Sequence, residues 1–178
     1  ASTRHKTDED TMTETPDAPQ QPERADKPAF LTQTTFDRFD LPESLLKGLH
    51  DAQFDRCTPI QAQVLPVALE GRDIAGQAQT GTGKTAAFAL PILQRLVQGP
   101  RGRVRALIIS PTRELTEQTH STITELGRQT GLRSIAVYGG VNMDRQVQKL
   151  KHGVEIVVAC PGRLLDHIWK GSIDVQHL

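Results

Sequence analysis

Two cysteines, one tryptophan and one tyrosine are all that the 178 residues contain of those types. Cys57 and Cys160 stand far apart, no C-x-x-C pair occurs, and the six histidines form no cluster at ligand spacing. That scarcity argues against a disulfide framework and a structural zinc site, and it fits a reducing, cytoplasmic setting. No run of 18 or more apolar residues is present, so a membrane-spanning helix is not expected. The polar stretch after Ala1 has no secretory signal core. Excess charge is missing as well: 21 basic and 21 acidic residues cancel. A strongly basic composition is therefore not available as an argument for nucleic-acid binding.

The cancelling charges are unevenly placed. Residues 1–28 hold four Lys/Arg and seven Asp/Glu, leaving 17 basic and 14 acidic residues, a net of +3, in the remainder. This mild bias permits nucleic-acid binding without requiring it. Residues 1–34 are rich in Thr, Pro, Gln, Asp and Glu and carry almost no large apolar side chain before Phe30. They read as a disordered tail, a solvated extension or a regulatory or partner-binding segment. Residues 35–178 are long enough for one domain with a real core.

Within that domain the hydrophobic period alternates between helix and strand. Leu45, Leu46 and Leu49 share one helical face behind Pro42, and Pro59 opens a second helix running to Leu69. Asp73-Ile74-Ala75 predicts a short strand leading into a glycine-rich loop, and Ala86 to Val97 predicts a helix despite Pro91. Strands are then predicted over 104–110, 134–138 and 155–159, with helices over 114–129, 142–150 and 162–169. Strands alternating with helices imply crossover connections and a mostly parallel sheet covered on both faces.

The glycine-rich loop is Ala78-Gln79-Thr80-Gly81-Thr82-Gly83-Lys84-Thr85. It follows a predicted strand and opens a predicted helix, the setting a phosphate-binding loop needs. Amide groups at a helix start point toward an anion, and the helix dipole favours it. Gly81 and Gly83 allow close backbone approach. Lys84 suits the terminal phosphates of a nucleotide, and the Thr85 hydroxyl suits Mg²⁺. Ala78 replaces the glycine that opens the general pattern, and its small side chain still leaves room. By itself the loop leaves kinases, GTPases and motor ATPases open.

The flanking segments narrow the choice. Phe36, then Cys57-Thr58-Pro59-Ile60-Gln61, the glycine loop, Pro111-Thr112-Arg113-Glu114-Leu115, Gly139-Gly140 and Pro161-Gly162-Arg163 occur in that order. The set resembles the N-terminal RecA-like lobe of a DEAD-box RNA helicase, from Phe36 to Leu178. The surroundings of Cys57 and of Tyr138 are most similar to the bacterial RhlB and RhlE type. The resemblance implies a RecA-like P-loop fold, with ATP and Mg²⁺ as cofactors and RNA as partner. It assigns Gln61 to the adenine edge, Phe36 to packing on the base, and Arg56 and Ala78 to Thr85 to the remainder of the ATP site. A carboxamide suits adenine because it offers an acceptor and a donor together. Lys84 and Thr85 carry the catalytic assignment. Pro111, Thr112, Arg113, Gly139, Gly140, Pro161, Gly162 and Arg163 are implied contacts to the RNA sugar–phosphate backbone, with little sequence specificity. The family also implies partners in RNA processing or degradation, and no membrane.

Three residues depart from that pattern. Cys160 stands where the family has threonine, Thr116 where it has alanine, and Gln53 where it has glycine. The Asp-Glu-Ala-Asp run that names the family does not occur among the 178 residues. With it are missing the metal-binding and water-positioning carboxylates and the second lobe, so this chain alone is expected to be inactive. A non-catalytic ATP- or RNA-binding module remains the alternative. A DNA-directed relative or a P-loop kinase fits the glutamine motif and Pro161-Gly162-Arg163 less well.

Overall fold

The computed structural model describes residues 31–178. The tail expected over 1–34 therefore lies, for 1–30, outside the described residues. Thr32 and Thr34 are already tied down: Thr32 N–H donates to Cys57 O, and Cys57 N–H donates to Thr34 O, both at 2.8 Å. Thr35 and Arg56 extend this contact as an antiparallel bridge. The composition shift at residue 34 thus trails the first backbone pairing by two residues, because backbone pairing does not need apolar side chains.

A 3₁₀ turn at Phe36–Arg38 leads into α1 (Glu43–Asp51) and α2 (Pro59–Leu69). The glycine loop then opens α3 (Lys84–Val97). From there strands and helices alternate: β1 (Ala106–Ile109), α4 (Arg113–Leu126), β2 (Ser134–Val137), α5 (Met143–Lys151), β3 (Ile156–Ala159) and α6 (Pro161–Trp169). The sheet is parallel throughout, in the order β1-β3-β2. Each helix predicted from the hydrophobic period forms, with ends shifted by a few residues. Pro91 lies inside α3 without ending it. Among the described residues no helix is long and apolar enough to cross a membrane.

One predicted element is absent. Asp73-Ile74-Ala75 forms no strand. The segment holds only two apolar residues between Gly71 and Gly76, so its extended form would depend on a neighbouring ladder. None of β1, β2 and β3 pairs with it. Ile74 stays 41% exposed, and β1 ends on Ile109 at 62% exposed, an edge without apolar cover.

The core is divided by the sheet. Leu45, Leu49, Leu65, Leu90, Leu93, Ile123 and Leu126 pack from α1–α4 against Ile156 and Val158. On the opposite face Val157 and Ala159 meet Leu150 of α5, Leu164 of α6, and Ile135 and Val137 of β2. β3 is central, so both of its alternating faces are buried, which explains its unbroken apolar run. Two polar groups join loops to this frame. Glu155 is fully buried, and its carboxylate accepts from Gly102 N–H at 2.6 Å and Arg133 N–H at 2.7 Å. Arg105 closes the end of α3 by donating to the carbonyls of Leu96, Pro100 and Gln98.

Candidate nucleotide site and nucleic-acid interface

The glycine loop is held from below by α2. Gln61 lies in the first turn of that helix and is 1% exposed. Its Oε1 accepts from Thr58 N–H at 2.9 Å, and its Nε2 donates to Gly83 O at 3.1 Å. The carboxamide therefore joins the start of α2 to the last residue before α3. Gly83 sits at φ +85°, and a Cβ there would collide with Gln61 Nε2 and lie 3.1 Å from Thr58 Oγ1. Gly81 is also left-handed, at φ +81°, but a Cβ on it would meet open space. The two glycines thus serve different needs: Gly81 supplies conformation, and Gly83 supplies conformation and room for the clasp.

Lys84 curls back over its own loop. Its ammonium donates to the carbonyl of Ala78 and, at 2.6 Å, to that of Gln79. Thr82 Oγ1 donates to Gln79 O at 2.7 Å. The carbonyls of Ala78 and Gln79 are thereby satisfied within the loop, with the Lys84 cation beside them. Thr80 is exposed and Thr85 half-buried. A cleft of about 470 Å³ opens beside Lys84 between α2, α3 and residues 71–76, lined by Ile60, Val64, Ile74, Phe88 and Pro91. Gln61 does not line it. Phe36 is 3% exposed and packs edge-on against Phe54, with ring centres 6.2 Å apart. Arg56 is exposed and donates to Gln33 Oε1 at 2.6 Å. The structure thus brings Gln61, Gly83 and Lys84 together and places Phe36 in the core.

The second cluster lies at the C-terminal ends of the three strands. A parallel sheet gathers the loops that follow its strands on one edge, and with them the starts of α4, α5 and α6. Pro111, Thr112, Arg113, Gly139, Gly140, Pro161 and Gly162 are all exposed there, and Arg163 is half-buried. Thr112 caps α4, its hydroxyl accepting from Leu115 N–H at 3.3 Å. Asn142 caps α5, its Oδ1 accepting from Asp144 N–H at 2.7 Å. At the start of α6 Cys160 makes no cap bond through its side chain.

These loops are braced against one another by residues that sequence reasoning missed. The Arg113 guanidinium lies 4.9 Å above the Tyr138 ring centre. The Tyr138 hydroxyl donates to Glu117 on the next turn of α4, and that bond holds the phenol above its ordinary pKa. Gln146, buried in α5, donates to Tyr138 O at 3.1 Å. Its Oε1 accepts from Arg163 at 3.3 Å and from His167 Nε2 at 2.8 Å. Arg163 also donates to Val141 O at 3.1 Å and pairs with Asp166 at 3.4 Å. His167 is fully buried. Burial, then the nearby Arg163, hold its pKa below the usual histidine value. The available signal was a polar residue on a buried helical stripe: Gln146 falls one turn before Leu150, and His167 three residues after Leu164.

The parallel sheet, the glycine loop before α3 and the loops gathered at one strand edge define a RecA-like α/β domain of the P-loop class. A family model described as DEAD/DEAH box helicase matches residues 58–178, and the chain belongs to that family. It is 51% identical over 159 residues to the ATP-dependent RNA helicase RhlB of Xanthomonas oryzae pv. oryzae, covering 86% of this chain and 27% of that protein. With the ATP-dependent RNA helicase CshA of Listeria monocytogenes it shares 45% over 145 residues, covering 82% of this chain and 28% of the relative. The chain thus spans about a quarter of the length of the curated relatives it matches. Among solved structures, a DEAD box protein from the hyperthermophile Methanococcus jannaschii aligns with a TM-score of 0.74 at 36% identity, covering 81% of this chain and 39% of that one. A hypothetical ATP-dependent RNA helicase from Sulfolobus tokodaii aligns at 0.70 and 37%, covering 78% and 39%.

Proposed function

We propose that this chain is the ATP-binding lobe of an ATP-dependent RNA helicase, in which RNA-stimulated ATP hydrolysis drives local separation of RNA strands. The observation that carries the reading is the set of three cross-braced loops at one strand edge, in a domain whose first helix after the glycine loop begins at Lys84. The exposed faces of those loops offer helix-start amides, the Thr112 hydroxyl and the Arg113 guanidinium. These groups suit phosphodiesters and carry no base-specific pattern. The names of the relatives, RNA helicases dependent on ATP, agree with it.

The residues present fit ATP and Mg²⁺. Lys84 has two of its three N–H groups on loop carbonyls, and phosphate oxygens would exchange for those carbonyls. Gln61 retains one lone pair on Oε1 and one N–H on Nε2 beyond its two bonds, the acceptor–donor couple that an adenine edge requires. Gln61 and Phe36 are both buried, so seating a base against them requires part of their present packing to open. Thr85 would hold Mg²⁺ through its hydroxyl, and the metal would supply charge neutralisation at the phosphates. The absence of an Asp-Glu-Ala-Asp run from the 178 residues favours a second reading for the chain taken by itself, a module that binds ATP and RNA without turnover.

The test is phosphate release with and without single-stranded RNA, from the 178-residue chain and from a longer protein in which it is joined to a second helicase lobe. Turnover is expected only from the longer protein, stimulated by RNA and abolished by Lys84→Ala. RNA-independent turnover, or full activity of the Lys84→Ala protein, would refute the reading.

A further inference from the structure

Two of the departures from the family pattern touch each other. Thr116 stands in the alanine place on α4, and Cys160 in the threonine place at the start of α6. Their Oγ1 and Sγ atoms are 3.2 Å apart. Thr116 is fully buried, and its Oγ1 also lies 2.8 Å from Thr112 O. A carbonyl only accepts, and a hydroxyl has one proton, so the Thr116 hydroxyl donates to Thr112. Its oxygen is left to accept, and the proton shared with sulfur is the thiol's. The order is Cys160 S–H to Thr116 Oγ1, then Thr116 O–H to Thr112 C=O.

We propose that Thr116 and Cys160 form a positioning pair that fixes the start of α6 against the start of α4 and so sets the spacing of two RNA-backbone contacts. The inference rests on the RNA reading above. Cys160 is the residue before α6 yet makes no side-chain bond to its own helix. Its side chain is directed across to α4 instead, with its proton turned inward and not offered to a phosphate. The relay ends on Thr112, whose carbonyl also accepts Thr116 N–H at 3.0 Å and whose hydroxyl caps α4. It therefore terminates on the residue that begins the RNA-facing turn. This chain places a hydroxyl on α4 and fills the opposite position with a thiol. A threonine at 160 would place a second hydroxyl beside Thr116, whose own proton is already committed to Thr112 O. The two positions are one coupled choice, not two independent deviations.

The experiment uses this chain joined to a second helicase lobe and a labelled single-stranded oligouridylate at fixed salt, read by fluorescence anisotropy. Thr116→Val keeps the shape and removes the hydroxyl; it leaves Thr112 O satisfied by the Thr116 N–H. It is expected to weaken RNA binding about two- to fivefold, the worth of one weak neutral hydrogen bond. Thr116→Ser should restore wild-type affinity. Thr116→Ala and Cys160→Thr should each weaken binding, whereas the double variant should lose less than the two single losses combined. In the ATPase assay the KM for RNA should rise in Thr116→Val while the KM for ATP and kcat at saturating RNA hold. A merely structural role would instead lower the melting temperature and kcat together. Wild-type RNA affinity in Thr116→Val, or additive losses in Thr116→Ala/Cys160→Thr, overturns the pair. No RNA binding by the unmutated protein overturns both the pair and the RNA reading beneath it.

Discussion

Gly83→Ala separates the two jobs of the glycine loop when it is compared with Gly81→Ala. Both residues are left-handed, at φ +85° and φ +81°. Forcing alanine into that region costs about 1–2 kcal/mol. Alanine recovers about 0.4–1 kcal/mol by restricting the unfolded chain. Gly81→Ala, with open space around its Cβ, should therefore cost about 0.5–1 kcal/mol net. At Gly83 the Cβ also displaces the Gln61 carboxamide and its bonds to Thr58 N–H and Gly83 O. Two neutral hydrogen bonds at about 0.5–1.5 kcal/mol each bring the expected loss to about 2–4 kcal/mol. Thr58 is buried at 4% exposed, so its freed N–H has no easy recourse to water. The assay is urea denaturation followed by far-UV circular dichroism, comparing midpoints at constant slope. A double variant with Gln61→Ala should cost less than the sum of the singles, because the clasp can be lost only once. Equal costs for Gly81→Ala and Gly83→Ala, or strict additivity with Gln61→Ala, would refute the clasp as a stabilising contact.

Two further outcomes follow from strain and burial. Gln53 is the one non-glycine with positive φ among the described residues, at +59°, and it occupies the place where the family has glycine. Gln53→Gly should raise stability by about 0.5–1 kcal/mol in the same denaturation assay, the relieved strain outweighing the extra freedom of the unfolded chain. His167 donates through Nε2 to Gln146, and its Nδ1 has no partner, so the charged ring would bury an unpaired N–H. Its pKa is lowered first by burial, then by Arg163 and, more weakly, Lys170, against the opposing Asp166. Unfolded, the ring titrates near about 6.5. Below that pH the unfolded chain takes up the proton first, so stability falls as pH drops from the unfolded pKa toward the depressed folded value, and is unaffected above the unfolded pKa. Melting curves across that range should show this slope in the unmutated chain and a shallower one in His167→Gln. An unchanged slope would remove His167 as its source.

What the sequence determined by itself is local and ordered. Pro42, Pro59 and the apolar periods placed the helices, because those signals act within a few residues of the element they set. The glycine loop could be placed ahead of α3 for the same reason, and the order of the motifs carried the family. β3 was legible as a strand, and its burial on both faces, the mark of a central parallel strand, came from the structure. The strand expected at Asp73-Ile74-Ala75 failed because a strand exists only through a neighbour's hydrogen bonds, and no pattern within three residues records who that neighbour is. The tertiary structure alone decided that Gln61 would clasp Gly83, that Phe36 would pack into the core, and that Gln146 and His167 would hold Arg163 to the loop after β2. It also turned two unrelated-looking departures, Thr116 and Cys160, into a contact. Each of these joins residues far apart in the chain, and their meeting is set by how α2, α4, α5 and α6 pack around the loops and sheet, a long-range geometry that propensity and spacing do not encode.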